Sequence, residues 1–459
     1  MKKQMDKKLK GMFMNLTSKV LNNKSEKNID YFLKTADGLT KNYALNVQIK
    51  AIHEMYKEKP ELRKFIAETL QTTDKKSLEK FLTNFVGNHN WSGQVERVAI
   101  NDKHDTHLPY VALISPTMRC NLRCEGCYAA DYKKSDDISI EKVDSLFEEM
   151  KSLGIYWVII LGGEPFFKDE MMKLYEKHHD MYFTPFTNGS LFDENLADEL
   201  KRLGNIMPMS SLEGYEAETD GRRGKGVYDK VKQGMSLLKE RGLLFGVSSA
   251  VTNKNIETVT SEEFIDMLIE SGSKMSWYFS FMPVGENPMA DTDLMLSPDE
   301  RIMLGERVTK IRSTKPYFAI DFFNDAPYVD GCIAGREYLH INSKLDVEPC
   351  IFSHFAVDNL KDKTLFEAIN SGFFKELRSR QPHNDNLLMP CMMIDNTNVI
   401  REVVKKHDAY PTHESARKMV EDVQFMRKLD EISKDFKPVA DNAYTNFKMK
   451  HQKVSEKIN

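Results

Sequence analysis

The chain has 459 residues, 41% of them hydrophobic, and its 65 basic and 69 acidic residues leave a net charge of −4. This composition supports a sizeable core and excludes global disorder, and the balanced charge gives no electrostatic basis for nucleic-acid binding. No apolar run reaches about 18 residues and no signal peptide is evident, so we expect a cytoplasmic protein.

Residues 1–105 are predicted to form a mostly helical N-terminal region, because they are polar and contain few glycines. At its start, apolar residues recur at steps of three and four between lysines: Met5, Leu9, Met12, Phe13, Leu16 and Val20. This pattern indicates an amphipathic helix. Two interpretations stay open: a helix that docks on the rest of the protein, or a basic helix that rests on a membrane surface through residues 1–24.

Residues 106–315 alternate short apolar runs with amphipathic segments, which is typical of a parallel sheet with helical crossovers. The predicted strands are Tyr110–Ser115, Trp157–Leu161, Phe183–Thr187, Ile206–Leu212, Leu244–Val251 and Met275–Met282. The predicted helices cover 139–153, 169–180, 193–204, 227–242, 260–271 and 297–312, the last two opening at Ser261 and Ser297. Six such units are fewer than the eight of a closed barrel, so the predicted fold class is α/β with an open partial (β/α)6 barrel.

Residues 316–400 break this rhythm and are predicted to form a small α+β extension. Within it we expect a hairpin from Tyr338–Asn342 and Val347–Cys350, followed by a helix over 364–379. Residues 401–459 are highly charged and are predicted to form a helical C-terminal tail.

Three of the six cysteines, Cys120, Cys124 and Cys127, follow the first predicted strand with the spacing C-x3-C-x2-C. In a reducing cytosol such residues are metal ligands or free thiols rather than disulfides. Cysteine thiolates ligate iron–sulfur clusters, and three of them leave one iron of a cubane open. The alternatives are a zinc site or free buried thiols. Zinc usually takes four ligands, and His104 and His107 precede the strand, so the pattern favours a [4Fe–4S] cluster.

The spacing, its place after the first strand and the following Tyr128 resemble the radical S-adenosylmethionine (radical SAM) superfamily. Members of that family bind the amino and carboxylate groups of S-adenosylmethionine at the open iron. The resemblance implies that one electron cleaves this cofactor to methionine and a 5′-deoxyadenosyl radical, which abstracts hydrogen from a substrate. It also implies a reducing partner such as flavodoxin or ferredoxin.

Polar segments that end the other predicted strands resemble family motifs lying beside S-adenosylmethionine. The resemblance assigns cofactor binding to Gly162, Gly163, Glu164, Thr187, Asn188, Ser211, Glu213 and Asn253. Glu213 stands where the family usually has aspartate, and its longer side chain leaves its contact open. The basic segment Gly221–Gly226 resembles a family segment before a helix, or is a solvated loop. Because the carboxyl ends of parallel strands meet at one face, we expect the strand-end residues to line one site.

The other cysteines, Cys332, Cys350 and Cys391, surround the predicted hairpin in an order that resembles the SPASM/Twitch extension of radical SAM enzymes. In that extension, cysteines bind auxiliary [4Fe–4S] clusters. A two-cluster extension has more cysteines, so the resemblance implies a reduced form with one auxiliary cluster. His340, His354 or Asp395 could supply its fourth ligand. The alternatives are three core cysteines or a site completed by a partner protein.

The resemblance implies an enzyme, of oxidoreductase or of transferase/maturase type, whose substrate is a peptide or protein side chain. A lipid or another small metabolite is the alternative, because the extension is poor in cysteine and residues 1–105 show no separate peptide-recognition domain. An iron–sulfur electron-transfer or sensor protein is a candidate of another class. The predicted barrel counts against it, because an electron carrier needs no such cavity.

Overall fold

The structure is a computed structural model that describes residues 2–41 and 45–458, without the side chains of residues 2–10, 14 and 451–458. The N-terminal region is helical, as predicted. It consists of α1 (Lys2–Asn22), α2 (Glu26–Thr40), α3 (Leu45–Glu58), α4 (Pro60–Thr72), α5 (Lys75–Lys80), a π-helix (Phe81–Gly93) and α6 (Gln94–His104).

The apolar face of α1 packs inside this N-terminal region. Phe13, Leu16 and Val20 are buried, and the Phe13 ring centroid lies 5.4 Å from that of Phe32 and 5.5 Å from that of Trp91. These contacts favour a docked helix over a membrane-bound one, because a face buried against other helices does not reach a lipid surface.

Met5 and Leu9 of the same predicted face lie outside the described side chains, and Met12 is exposed. In the part of the chain that the structure describes, no helix has both the length and the apolar character needed to cross a bilayer.

The central sheet has nine strands. They are β1 (Val111–Ile114), β2 (Trp157–Ile160), β3 (Tyr182–Thr187), β4 (Met209–Ser211), β5 (Gly246–Val251), β6 (Met275–Ser280), β7 (Phe318–Asp321), β8 (Tyr338–Ile341) and β9 (Val347–Glu348). Their order is β7-β6-β5-β4-β3-β2-β1-β8-β9, and all pairs except β8–β9 are parallel. This sheet with its helices confirms the predicted α/β partial barrel, with the six predicted strands at β1–β6.

The strand β7 is additional to the six strands that the sequence predicts. It is a four-residue strand after Pro316, and its register pairs Met275 with Phe318 and Tyr278 with Asp321. So short a run next to a proline carries a weak strand signal.

The predicted hairpin is present as β8 and β9, and β8 also pairs with β1, from Val111↔Tyr338 to Ile114↔Ile341. The hairpin therefore extends the barrel sheet and covers the free edge of β1.

Helices flank the sheet: α7 (Ile140–Ser152), α8 (Met171–Lys177), α9 (Glu194–Leu203), α10 (Glu216–Arg223), α11 (Val227–Glu240), α12 (Ile256–Val259), α13 (Glu262–Glu270), α14 (Pro288–Asp291) and α15 (Pro298–Thr314). Ser261 caps α13 by accepting a hydrogen bond from Phe264 N at 3.2 Å. Ser297 and Glu300 form a reciprocal capping box at α15. Both predicted helix starts are thus confirmed.

Behind the hairpin lie α16 (Leu365–Ile369), α17 (Gly372–Ser379), α18 (Thr397–Lys406), α19 (Glu414–Glu421), α20 (Val423–Ile458) and a two-stranded sheet of β10 (Phe355–Ala356) and β11 (Tyr410–Pro411). The single helix predicted over 364–379 is two helices, because Asn370 closes α16 and the Ser371 hydroxyl caps α17 by accepting from Phe374 N. On the buried face of α20, the ring of Phe436 lies 3.6 Å from the guanidinium of Arg301 on α15. The C-terminal helix is thereby anchored to the barrel.

Candidate active site

The loop that follows β1 carries three cysteines, and all three are partly exposed free thiols: Cys120, Cys124 and Cys127. Leu122 N and Asn188 Nδ2 lie 3.5 and 3.8 Å from Cys120 Sγ as donors, and Arg223 Nη1 lies 3.9 Å from Cys124 Sγ. Burial raises the pKa of Cys120. Bound iron deprotonates a coordinating thiol, and these donors would then stabilise the resulting thiolates.

The two glycines after β2 allow a close approach to this cysteine loop. Gly163 N donates to Thr117 O at 2.9 Å, and Glu164 N donates to Arg119 O at 2.8 Å. A Cβ on Gly162 would lie 2.2 Å from Thr117 O, and Gly162 has a φ of +117°. Only glycine fits such a contact without displacing the backbone. The resemblance assigns these glycines to cofactor binding, whereas in the structure their close neighbour is the cysteine loop.

Glu164 is fully buried beside this loop. Its Oε1 accepts from Thr187 Oγ1 at 2.7 Å and from Phe166 N at 3.1 Å, while its Oε2 accepts from Asn188 N at 2.7 Å. Burial raises the pKa of Glu164, although these hydrogen bonds oppose the shift. A carboxylate accepts about four hydrogen bonds, so Oε2 keeps capacity for one more donor, such as an ammonium group.

Asn188 connects the segment after β3 to the cysteine loop. In addition to its backbone contact with Glu164, its Nδ2 donates to Asn121 Oδ1 at 2.9 Å. Thr187 Oγ1 accepts from Gly189 N at 3.0 Å, which fixes the same turn. The structure therefore brings Glu164, Thr187 and Asn188 together at the carboxyl ends of neighbouring strands.

At the end of β4, Ser211 is partly exposed, and Glu213 is fully buried between two arginines. Glu213 Oε1 accepts from Arg222 Nη1 at 2.6 Å and from Arg223 Nε at 2.9 Å, and Oε2 accepts from Ala250 N at 3.0 Å. Burial alone would raise the pKa of Glu213, but the two guanidinium groups outweigh it and hold the pKa below its usual range. The longer glutamate thus serves an internal ion pair.

This ion pair also explains the basic segment Gly221–Gly226. Arg223 reaches from Glu213 to Cys124, and Glu213 raises the pKa of Arg223 although burial opposes that shift. The segment is part of the site and not merely a solvated loop. The sequence leaves both possibilities open, because neighbouring arginines do not reveal that their partner is a buried carboxylate.

After β5, the two asparagines have different surroundings. Asn253 is exposed, and its Nδ2 donates to Asp293 O at 2.9 Å. Asn255 is buried, and its Nδ2 donates to Glu213 O at 3.0 Å and to Ala250 O at 3.1 Å. The resemblance assigns cofactor binding to Asn253, whereas Asn255 is the asparagine that holds the Glu213 turn. The two are equivalent in sequence pattern, so only the fold separates them.

The remaining cysteines come from three distant loops, before β8, after β9 and before α18: Cys332, Cys350 and Cys391. Burial raises the pKa of Cys332 and Cys350 to about 12, and each of the three thiols further raises the pKa of another member, which shows that they lie near one another. We call them the second trio.

Hydrogen-bond donors surround the sulfurs of the second trio. Tyr338 Oη donates to Cys350 Sγ at 2.8 Å, Phe352 N lies 3.4 Å from the same sulfur, and Met393 N lies 3.3 Å from Cys391 Sγ. Hydrogen bonds to sulfur stabilise thiolate ligands and tune cluster potentials. The donor set therefore fits an iron–sulfur cluster.

The three suggested fourth ligands have other partners. His340 is buried between Ser115 Oγ and Glu348 Oε2, at 2.7 Å from each. His354 Nδ1 lies 3.2 Å from the Tyr132 hydroxyl. Asp395 is the one of the three with a contact to the second trio.

Asp395 belongs to a buried ion pair. Its Oδ2 accepts from Cys391 N at 3.1 Å, and its Oδ1 accepts from Arg301 Nη1 at 2.8 Å. The side chains of Arg301 and Asp395 are almost fully buried. A carboxylate held in this way would have to give up a buried cation to ligate iron, which is costly.

Among residues 2–41 and 45–458, no three cysteine, histidine or acidic side chains converge in a way that could hold one metal ion. Zinc gathers its ligands around a single ion. A cubane gives each thiolate a separate iron, so its ligands do not share one centre.

Comparison with known proteins agrees with this geometry. A family model described as the Radical SAM superfamily matches residues 114–283. The Fe-coproporphyrin III synthase of Methanosarcina barkeri is 26% identical over 230 residues, which are 48% of this chain and 57% of that protein. The mycofactocin maturase MftC of Mycobacterium tuberculosis is 25% identical over 283 residues, or 58% of this chain and 71% of that one. The match thus spans little more than half of the first of these relatives.

Among solved structures, Streptococcus suis SuiB bound to S-adenosylmethionine superposes with a TM-score of 0.54 at 19% sequence identity, covering 78% of this chain and 87% of SuiB. At this identity the superposition establishes a shared fold. Residues 114–283, which run from the end of β1 through β6 and include the cysteine loop, thus match the radical SAM superfamily, whose members use a [4Fe–4S] cluster and S-adenosylmethionine.

Proposed function

We propose that this protein cleaves S-adenosylmethionine at a [4Fe–4S] cluster held by Cys120, Cys124 and Cys127, and that it modifies a peptide or protein side chain. The observation that carries the proposal is the convergence of the three-cysteine loop with the strand-end groups of Glu164 and Asn188. When bound and reduced, the cluster supplies one electron, giving methionine and a 5′-deoxyadenosyl radical that takes a hydrogen atom from the substrate.

The residues of the chain position and shield this chemistry. The free acceptor capacity of Glu164 suits the ammonium group of S-adenosylmethionine. Ser211, at the end of β4, is partly exposed on the same face and is available to a polar group of the cofactor. The pair of Glu213 and Arg223 holds a guanidinium beside Cys124, so that a cation offsets the negative charge of a ligated cluster. Gly162 and Gly163 hold the loop after β2 against the cysteine loop.

We propose that the second trio holds one auxiliary [4Fe–4S] cluster. Support comes from the three neighbouring thiols, their N–H and O–H donors, and the resemblance of the extension to SPASM/Twitch domains. Such a cluster would accept an electron on product formation or anchor the substrate. An external donor such as flavodoxin or ferredoxin is proposed to reduce the first cluster.

The proposed substrate class rests on relatives. MftC is by name a maturase, and a further SuiB structure is of the enzyme bound to its precursor peptide SuiA. A small metabolite is the second candidate, because the similarity to an Fe-coproporphyrin III synthase points to a non-peptide substrate in a related enzyme. A lipid has less support, since the described apolar side chains of α1 at Phe13, Leu16 and Val20 are buried. We propose a cytoplasmic location.

The test is release of 5′-deoxyadenosine. Full-length protein is reconstituted anaerobically with iron and sulfide, reduced with dithionite and supplied with S-adenosylmethionine. The proposal predicts 5′-deoxyadenosine by chromatography, and none from the Glu164→Ala, Cys124→Ala double variant. A protein that binds iron but releases no nucleoside would instead support an electron-transfer or sensor role.

A further inference from the structure

The lumen of the barrel contains an aromatic cluster that the proposed cofactor site does not use. Its members are Phe186 on β3, Trp277 and Phe279 on β6, and Phe322 directly after β7. The ring centroids of Phe186 and Trp277 are 5.5 Å apart, those of Trp277 and Phe279 are 5.6 Å apart, and those of Phe279 and Phe322 are 5.3 Å apart. We call these four residues the lumen patch.

The side-chain alternation of β6 establishes that the patch faces the lumen. Tyr278 points outward, because it is fully buried and its hydroxyl donates to Val259 O of α12 at 2.9 Å. Successive strand residues point to opposite faces, so Trp277 and Phe279 point inward. All four members of the lumen patch are partly exposed there, in contrast to the buried residues of the outer face. The lumen is therefore open at these rings.

The lumen patch lies next to the first cysteine loop. Phe281 continues the inward column of β6, and Phe281 N still pairs with Val251 O at 2.9 Å. A Cβ added to Gly126 of the cysteine loop would lie 2.5 Å from the Phe281 ring. Two strand residues span about 7 Å, so Phe279 lies about that far along the strand from a ring that contacts the loop.

At its other end the lumen patch reaches the second trio. The ring centroid of Phe322 is 5.8 Å from that of Tyr338, whose hydroxyl donates to Cys350 Sγ at 2.8 Å. A group held on the patch would thus lie between the two sets of cysteines.

One polar group of the patch has no partner among the described residues. Trp277 Nε1 is buried and makes no hydrogen bond within the described part of the chain. Buried indole N–H groups usually find an acceptor. Trp157 on β2 does so, since its Nε1 donates to Thr184 Oγ1 at 2.9 Å. The Trp277 donor thus lacks an acceptor among the described residues, in contrast to that of Trp157.

We propose that the lumen patch binds a planar aromatic group of the substrate, and that an acceptor at the edge of this group takes the Trp277 N–H. The rings of Trp277 and Phe279 are nearly parallel, with an interplanar angle of 16°, so the patch offers flat faces for stacking. The inference rests on the proposed function, because it names the substrate class of that site. The aromatic group belongs either to a peptide side chain or to a planar macrocycle.

The test is probe binding to the anaerobically reconstituted full chain with S-adenosylmethionine present. N-acetyltyrosinamide represents a peptide side chain, a free-base porphyrin represents a macrocycle, and N-acetylleucinamide is the non-aromatic control. We expect one aromatic probe to bind at least about fivefold more tightly than the leucine probe. Whichever aromatic probe binds shows whether the aromatic group belongs to a peptide side chain or to a planar macrocycle.

The variants locate the site. Trp277→Ala and Phe279→Leu are each expected to lower the affinity for the aromatic probe roughly fivefold. Trp277→Phe keeps a ring but removes the N–H, and it should lower the affinity by less. Trp157→Phe is the matched control, because its ring contacts Phe85 and Tyr110 outside the lumen patch, and it should bind the probe normally. Equal binding of the leucine probe, or unchanged binding in both Trp277→Phe and Phe279→Leu, would overturn the inference.

The release of 5′-deoxyadenosine, measured on the same samples, separates the two proposals. Nucleoside release without aromatic binding refutes the lumen-patch inference alone. Aromatic binding that depends on Trp277, without nucleoside release, refutes the proposed function but not the binding site.

Discussion

The two sets of cysteines differ in how the chain assembles them. The first set lies within eight residues of one loop and stays partly exposed, facing Glu164 and Asn188 from neighbouring strands. The second trio comes from loops up to 59 residues apart in sequence; Cys350 is buried, Cys332 and Cys391 are partly exposed, and Tyr338, Phe352 and Met393 direct donors at their sulfurs.

The difference in assembly suits the two sites to different roles. An open loop with charged donors such as Arg223 leaves room for a second molecule at the cluster. A trio gathered from distant loops and given neutral donors has its surroundings fixed by the fold, which suits a cluster whose role is to transfer an electron or hold one ligand. The predictions below test whether the two sites are separable in this way.

Loss of the first site should have the largest effect. Cys124→Ala is expected to abolish 5′-deoxyadenosine release and to lower iron from about eight to about four per chain, because a [4Fe–4S] cluster needs its thiolates. Iron analysis and chromatography measure both quantities. Cys391→Ala is the control, and it should retain nucleoside release. Persistent release from Cys124→Ala would show that this loop is not the cofactor site.

Removal of the second trio should halve the iron content but spare cofactor cleavage. The Cys332→Ala, Cys350→Ala, Cys391→Ala variant is expected to hold about four irons per chain. It should still release 5′-deoxyadenosine, because the first loop is intact, while product formation is lost. A variant that kept its full iron content would refute an auxiliary cluster on these residues.

The same difference explains which parts of the two sites can be predicted from the sequence. The spacing of Cys120, Cys124 and Cys127 is local, so the sequence predicts that site together with the strands around it. The second trio is predicted only through resemblance, since the pairing of β8 with β1 is a long-range contact. Asn255 and Arg223 have no distinguishing sequence signal, because their roles depend on the buried carboxylate and carbonyl of Glu213.

Glu213→Gln tests the charge network of the first site. It leaves Arg222 and Arg223 without their buried anion, and breaking such a pair costs about 3 kcal/mol of unfolding free energy. Since the pKa of Glu213 is lowered in the folded protein, its contribution is present above the unfolded pKa of about 4.3 and is lost as the pH falls through the folded pKa. Denaturant titrations at pH 7 and at low pH should show the loss shrinking with acid.

The exposed residue Glu216 on α10 gives the matched control for that prediction. Glu216→Gln should change the free energy of unfolding by at most about 0.5 kcal/mol, because surface substitutions rarely cost more. If Glu213→Gln were as mild as Glu216→Gln at pH 7, the buried network would not support the first site.

Tyr338→Phe should have the smallest effect and should touch the second site alone. The substitution keeps the ring beside Phe322 and removes the hydroxyl that donates to Cys350, at a cost of about 1 kcal/mol in the free energy of unfolding. With one hydrogen bond to sulfur fewer, the auxiliary cluster should have a lower reduction potential, while the first cluster keeps its own. Redox titration followed by electron paramagnetic resonance measures both potentials.

Tyr317→Phe is the control, because the buried Tyr317 hydroxyl forms a hydrogen bond with Ser273 Oγ at 2.8 Å, away from both cysteine sites. This variant should destabilise the fold similarly without changing either reduction potential. A shift of both potentials in Tyr338→Phe would mean that the two cysteine sites are coupled through the barrel.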